Sequence, residues 1–514
     1  MLRLPTIRRR HCGRSRRRPV RVIVSTAAGP AHRYVDRDWR VVVSGRQRSA
    51  ARRYVTESPA TEQPLAQVPD CAPEDVDHAV AATEAAQRAW ARKPPRERAR
   101  QLRAFAEALR EHREELATID ALDGGFPITA MRLDVDAAVD YIEVMCDLAL
   151  DLGGRTIPAS GQHLHYTLQQ PYGVVARIVP YNHPLFFAAA KIAAPLVAGN
   201  GVVLKAPEQA PLSALRIGEI AAEVLPSGLL VVLTGRGSES GRALVRHPRV
   251  RRIAVIGSEQ TGRSIQHDAA DTGVKDVTLE LGGKNAMLVL ADADPVRAAA
   301  GAVLGMNFTA TMGQSCGSTS RLLVHRSLVD EVLENVRLLV ERIRIGDPLA
   351  DETEMGPLIT RVHYERVLDA IDSAKRAGAE VVTGGGRPGG IGDRGYFVAP
   401  TVLAAVSPDS AVARTEIFGP VLSVMTFDDV GEAVDVANRV EYGLTAAVWT
   451  ENVGMAHSLA SQLDAGYIWV NGSSRHFWGV PFGGFKNSGI GREDSLEELV
   501  SFSQTKAVNV LLPD

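Results

Sequence analysis

The chain has 514 residues, 45% of them hydrophobic and 23% charged, which excludes collagen-like, disulfide-scaffold and wholly disordered classes. The net charge of −2 hides an asymmetry: residues 1–35 hold ten Arg and no acid, leaving 48 Lys and Arg against 60 Asp and Glu, a net of −12, in the body. A body that acidic argues against a nucleic-acid surface, and the lack of any uninterrupted apolar run of about 18 residues argues against a membrane span.

The first feature in chain order is a basic arm. Residues 1–33 carry Arg triplets at 8–10 and 16–18 with little apolar periodicity, a pattern expected to stay disordered. Three readings of it stand open: an organelle transit leader, a polyanion-binding segment, or an inert extension. No apolar core of about 7–15 residues follows, so a secretory signal is not expected. Cys12, Cys71, Cys146 and Cys316 are widely spaced and form no CxxC pair. That fits a reduced compartment, with the cytoplasm expected unless the arm directs import into an organelle. Metal-ligand spacing is absent throughout, so no metal is expected.

Two helices are predicted over 74–90 and 95–122. In the second, Leu102, Phe105, Leu109, Leu116 and Ile119 mark one face, Pro94–Pro95 suit its start and Gly124–Gly125 its end. From 174 to 280 short apolar runs alternate with helical stretches: VVARIV (174–179), GVVLK (201–205), LLVVLT (229–234), RIAVI (252–256) and VTLE (277–280). Apolar throughout, these runs fit strands covered on both faces, hence a doubly wound parallel α/β sheet of the Rossmann type. Leu185–Leu204, broken by Lys191, Pro195 and Gly199, reads as a buried helix followed by a buried strand. A second α/β series runs from about 285 to 480, with strands at 285–290, 320–325 and 465–470 and helices near 294–309, 328–342 and 361–377. Residues 162–170 and 506–513 read as edge strands outside both series, suited to pairing with another chain. The expected organisation is therefore a cofactor domain from 34–149 and 172–282, a catalytic domain from 283–481, and a small β oligomerisation arm from 150–171 and 492–514.

Several residues carry candidate chemistry. Cys316 lies among small residues in GQSCGST (313–319), which leave a sulfur accessible; a strand–helix junction is expected there. By itself a lone Cys is usually an inert buried hydrophobe. Glu280 ends a strand beside Gly282–Gly283, where a carboxylate can serve as a general base or simply lie on the surface. Asn182 follows a strand in PYNHP (180–184), as an amide donor or a plain turn former. Gly257 and Ser258 follow a strand and open a helix, where a phosphate can approach the helix N-terminus, although the spacing is not GxGxxG. Lys205 and Glu208 leave the second strand of the series, and an acid there suits a ribose diol. Glu416 and Phe418 in EIFGP add a second acid beside an aromatic.

Together PYNHP, KAPEQAP (205–211), IGSEQTG (256–262), LELGGKN (279–285), GQSCGSTSR (313–321), EIFGP (416–420) and PFGGFKNSG (481–489) are highly specific. Over roughly residues 35–513 the chain resembles the NAD(P)-dependent aldehyde dehydrogenase superfamily. Tyr181, where Trp is commoner, and Ile256 depart from the family pattern without removing a reacting group. The resemblance implies that Cys316 is a nucleophile adding to a small-molecule aldehyde, and that the Asn182 amide with the Cys316 N–H forms an oxyanion hole. It implies that Glu280 activates water to hydrolyse the thioester. It also implies that Lys205 and Glu208 hold the adenosine ribose, that Gly257 and Ser258 meet the pyrophosphate, and that Glu416 and Phe418 place the nicotinamide. Glu208 would favour NAD over NADP, with NADP possible because Lys205 is near. Lys486 is given no catalytic role.

The expected product is a carboxylate, made by a homodimer or homotetramer. The rivals are a coenzyme-A-dependent acylating enzyme and a catalytically silent binding protein. Phe187, Ala190, Ala310, His476, Phe477 and Phe482 are expected to line the aldehyde tunnel. Small Ala190 and Ala310 suggest a medium-sized apolar or aromatic substrate; His476 keeps amino- or hydroxy-aldehydes open, and betaine-aldehyde or semialdehyde oxidation stands as a further alternative.

Overall fold

The computed structural model describes residues 22–23 and 30–513. Most of the basic arm 1–33 lies outside these residues; Val22–Ile23 pairs in parallel with Ile345–Gly346.

The first sheet has five parallel strands: β1 (Val174–Ile178), β2 (Gly201–Lys205), β3 (Leu230–Leu233), β4 (Val250–Ile256) and β5 (Asp276–Glu280). Their order is β5-β4-β1-β2-β3, and Gly489–Ile490 adds an antiparallel edge against Leu279–Glu280. The chain reverses direction across the sheet at β1, so β1, β2, β4 and β5 deliver their C-terminal turns to one edge. Ligands bind at that edge in open α/β sheets. β2 and β3 are buried at every position, as continuous apolar runs require when helices cover both faces.

The second sheet comprises β6 (Ala286–Val289), β7 (Arg321–His325), β8 (Glu380–Thr383), β9 (Thr401–Ala404), β10 (Val421–Phe427), β11 (Thr445–Trp449) and β12 (Tyr467–Val470). Its order is β8-β9-β10-β7-β6-β11-β12, parallel except for β8 against β9. The predicted edge strands pair with each other: Leu164–Pro171 lies antiparallel to Ser503–Val510.

The predicted helix 95–122 is two helices. α2 (Pro95–Glu111) stops at His112, whose N–H donates to Ala108, and α3 (Arg113–Gly124) begins directly after it. Both pack on α4 (Ile128–Asp147). The preceding helix, α1, spans Pro73–Trp90 as expected. Leu102, Phe105, Leu109, Leu116 and Ile119 are all buried. Among the described residues no helix is long and apolar enough to cross a membrane.

Candidate active site

Two cavities meet between the sheets. One, of about 580 Å³, is a cleft along the carboxyl edge of the first sheet; the other, of about 260 Å³, is lined mainly by apolar surface. Asn182, Ile256, Glu280 and Cys316 line both and form their shared wall.

Cys316 does not sit at a strand–helix junction. It lies in the loop leading from helix α7 (Pro295–Gly305) into β7. The loop is held in costly backbone geometry: Asn307, Ala310 and Met312 all have positive φ. Gly313 also has positive φ, and a Cβ there would lie 2.4 Å from the Gly419 carbonyl oxygen. The Asn285 amide stabilises this turn by donating to the carbonyls of Cys316 (2.6 Å) and Ser318 (2.9 Å) while accepting from Thr445 N–H (3.1 Å). Asn285 closes LELGGKN, so that motif and the cysteine loop are one assembly. Burial, then the Glu280 and Glu416 carboxylates, push the Cys316 thiol above its ordinary range.

Glu280 ends β5 as predicted. Its carbonyl accepts from Gly257 N–H (2.9 Å), and Leu281 N–H donates to the Ser488 carbonyl (2.9 Å). The Ser488 hydroxyl in turn donates to the Gly282 carbonyl (2.7 Å), so PFGGFKNSG braces the turn that carries Glu280. Oε1 of Glu280 is buried without a hydrogen-bond partner among the described residues. Burial first, then Glu493 and Asp494, raise its pKa well above the carboxylate range. The Asn182 amide is buried and makes no hydrogen bond among the described residues, so it is free to donate to a ligand.

The cleft gathers Gly257, Ser258, Glu416 and Phe418 with Pro180, Tyr181 and Gly282. Ser258 caps helix α6 (Glu259–Ala270), its hydroxyl accepting from Thr261 N–H, so the helix N-terminus faces the cleft. Glu416 accepts from Gly283 N–H (3.0 Å), and a Cβ at Gly282 would lie 2.1 Å from its other oxygen. Burial lifts its pKa to about 7. Phe418, at positive φ, is anchored by His363 Nε2 donating to its carbonyl (2.6 Å) and packs edge-on to Tyr181 at 6.0 Å. Lys205 and Glu208 do not line the cleft. They lie at the end of β2, next along the same edge, where Lys205 Nζ donates to the Ala206 carbonyl (2.7 Å) and Glu208 accepts from Gly237 N–H. Arg366 and Tyr442 line the cleft and were not expected from sequence.

Of the residues expected along the tunnel, Phe187, His476 and Phe482 line the second cavity, whereas Ala190, Ala310 and Phe477 do not. Ala190 is fully buried, Ala310 is held in the strained loop, and Phe477 is exposed at the surface. The reason lies in reach: Ala190 is the last residue of the short helix α5 (Pro184–Ala190), and its Cβ ends within the core. The longer Phe186 and Lys191 side chains reach the cavity instead, joined by Trp478, which stacks on Phe186 at 6.0 Å.

Beneath this cavity lies a charged cluster with no sequence signature. Lys191 Nζ donates to Asp494 (2.6 Å), pairs with Glu493 (3.0 Å) and sits 4.5 Å from the Tyr141 ring. Arg177 pairs with Glu493 at 2.6 Å. Against the cost of burial, Lys191 and His476 hold Asp494 at about 2. Two histidine–aspartate pairs also line the cavity: His183 with Asp134 at 2.7 Å, and His476 with Asp494 at 3.4 Å.

A thiol, a free amide donor and an unsatisfied carboxyl thus converge on one wall, with the larger cleft on one side and an aromatic cavity on the other. The chain matches the "Aldehyde dehydrogenase family" model over residues 46–508 and belongs to that family. It is 40% identical to a phenylacetaldehyde dehydrogenase of Pseudomonas fluorescens, covering 88% of this chain and 91% of that one. It is 39% identical to a peroxisomal aminoaldehyde dehydrogenase of Pisum sativum, covering 90% and 92%. The NAD+ complex of a Bacillus cereus aldehyde dehydrogenase superposes with a TM-score of 0.91 at 37% identity, covering 95% of this chain and 99% of that one.

Proposed function

We propose that this protein oxidises an aldehyde to a carboxylate with NAD+, the aldehyde being aromatic or of medium apolar size. The observation that carries the reading is the shared wall of Asn182, Glu280 and Cys316 between the two cavities. The cleft suits the cofactor: the Ser258-capped helix N-terminus would meet the pyrophosphate, and Glu416 and Phe418 would place the nicotinamide end. Lys205 and Glu208, one strand along, would hold the adenosine ribose. NAD+ bound there supplies the hydride acceptor.

Cys316 Sγ adds to the aldehyde carbon, and the Asn182 amide with the Cys316 N–H stabilises the oxygen as it gains charge. Once the carbon is at the thioester level, Glu280 takes a proton from water. The hydroxide adds, the C–S bond breaks, and Cys316 is regenerated as the carboxylate leaves. Phe186, Phe187, Trp478 and Phe482 exclude water and bury apolar substrate, worth about 25 cal/mol per Å². The resemblance to a phenylacetaldehyde dehydrogenase supports the aromatic reading. We also propose that the Leu164–Pro171 and Ser503–Val510 pair, with Leu164 and Leu168 exposed, mediates dimer or tetramer formation, to be checked by sedimentation.

The test is NADH absorbance with benzaldehyde, phenylacetaldehyde, an aminoaldehyde and acetaldehyde, run with NAD+ and NADP+, with and without coenzyme A. Aromatic aldehydes should win, with NAD+ and without any requirement for coenzyme A. Dependence on coenzyme A would establish the acylating reaction instead, and no NADH with any aldehyde would favour a silent binding protein.

A further inference from the structure

The second cavity contains a polar group that the reaction does not use. His183 follows Asn182 directly and stands at the start of α5. Its Nδ1 donates to the carboxylate of Asp134, on helix α4, at 2.7 Å. The ring is otherwise set among aromatics, with Phe187 at 5.7 Å and Phe186 at 6.3 Å. Yet 27% of the side chain remains open, it lines the cavity, and Nε2 has no hydrogen-bond partner among the described residues.

The charge balance around the cavity decides what this nitrogen can take. Every carboxylate of the second cavity outside the shared wall already has a partner: Asp134 has His183, Asp494 has Lys191, and Glu493 has Arg177 and Lys191. What remains unmatched is a donor. Burial works against a charged ring, but the Asp134 carboxylate outweighs it and lifts the imidazole above the ordinary histidine range. With Nδ1 committed to Asp134, Nε2–H is left as the unpaired donor of a residue that lines a mainly apolar cavity. An unpaired donor there loses a hydrogen bond unless the ligand brings an acceptor.

We propose that His183, oriented by Asp134, is the specificity-determining residue of the cavity, binding an oxygen substituent, hydroxyl or carboxylate, on the ring of an aromatic aldehyde. Asn182 and His183 are consecutive and both line the cavity, so one ligand can meet the donor for the aldehyde oxygen and the donor for this second oxygen together. The preferred substrate therefore carries both oxygens on one rigid frame. This rests on the aromatic-aldehyde reading above, and it narrows that reading to rings with an oxygen acceptor.

The experiment compares kcat/KM for 3- and 4-substituted benzaldehydes bearing methyl, hydroxyl, carboxylate or trimethylammonium groups. The wild type should favour one of the oxygen substituents over methyl by roughly tenfold or more, as a charge-assisted hydrogen bond implies. The hydroxyl-to-carboxylate ratio tells which oxygen source the site takes. In His183→Phe the oxygen-to-methyl ratio should fall to about one; taking the ratio within one variant cancels any general loss. Should His183→Phe fold poorly because Asp134 is left unpaired, the double variant Asp134→Ala/His183→Phe removes both charges together. A wild type indifferent to oxygen, one that favours trimethylammonium, or a ratio abolished by His476→Phe but not by His183→Phe overturns the proposal. If no benzaldehyde yields NADH, the aromatic-aldehyde reading fails. Calorimetric Kd values for 4-hydroxybenzoate and terephthalate against 4-methylbenzoate then test the subsite itself. Tighter binding of either oxygen-bearing acid, lost in His183→Phe, supports it, and equal binding overturns it.

Discussion

The cleft along the first sheet and the aromatic cavity share one wall but are built differently. The cleft is bounded by turns at strand ends whose positions are fixed by main-chain hydrogen bonds, such as Gly257 N–H to Glu280 and Leu281 N–H to Ser488. The cavity is bounded by side chains from α4, α5 and two C-terminal segments, resting on ion pairs such as Lys191–Asp494. A surface made of backbone can change little without unmaking the sheet edge. A surface made of side chains can be respecified one residue at a time. Substitutions should therefore be most damaging on the shared wall, and selective or merely structural as they move into the cavity.

The largest effect is expected at Cys316. Cys316→Ser should abolish dehydrogenation while NADH still binds, measured by fluorescence quenching. A hydroxyl is a far poorer nucleophile than a thiol near neutral pH. Substantial turnover by this variant would remove the cysteine from its assigned role.

Glu280→Gln should split the reaction. Hydride departure needs no base for water, so a single burst of NADH should survive while steady turnover collapses. The same residue predicts the pH profile. Because burial and the Glu493 and Asp494 carboxylates raise its pKa, the basic form is populated only as pH climbs, and steady-state turnover should increase from neutral toward alkaline pH. The raised Cys316 thiol pushes in the same direction. An acid-side optimum would contradict both assignments. Asn182→Ala comes next, with turnover lower by roughly 10²–10³, the usual loss for one oxyanion donor. A drop below about tenfold would mean that the Cys316 N–H alone suffices.

What was legible in the sequence follows the same division. The motif-bearing turns could be read because backbone turns at a sheet edge demand particular residues at fixed spacing. Glu280, Asn182, Ser258 and Glu416 were found that way, and they line the cleft. The parallel strands were legible because they are buried on both faces. The break at His112 was not, since the apolar stripe runs through it on both sides. Nor was the charged floor of the cavity. Asp134, Lys191, Glu493 and Asp494 come from elements far apart in the chain, and each alone reads as an ordinary solvated charge. Asn285 carried a signal in its motif, but its bond to the Cys316 carbonyl is a tertiary fact.

The smallest effect tests the corrected wall of the cavity. If the small residue at 190 faced the passage, Ala190→Trp would narrow it and penalise aromatic aldehydes selectively. In the structure Ala190 is fully buried, while Phe186, Trp478 and Lys191 stand at the cavity surface. An indole there has no open space to enter and must displace packed neighbours. Overpacking of this kind costs about 1–3 kcal/mol. The expected outcome is a lower Tm, with the benzaldehyde-to-acetaldehyde ratio of kcat/KM unchanged. A stable variant that loses benzaldehyde while keeping acetaldehyde would instead put residue 190 on the passage, and would mean that α5 shifts when substrate enters.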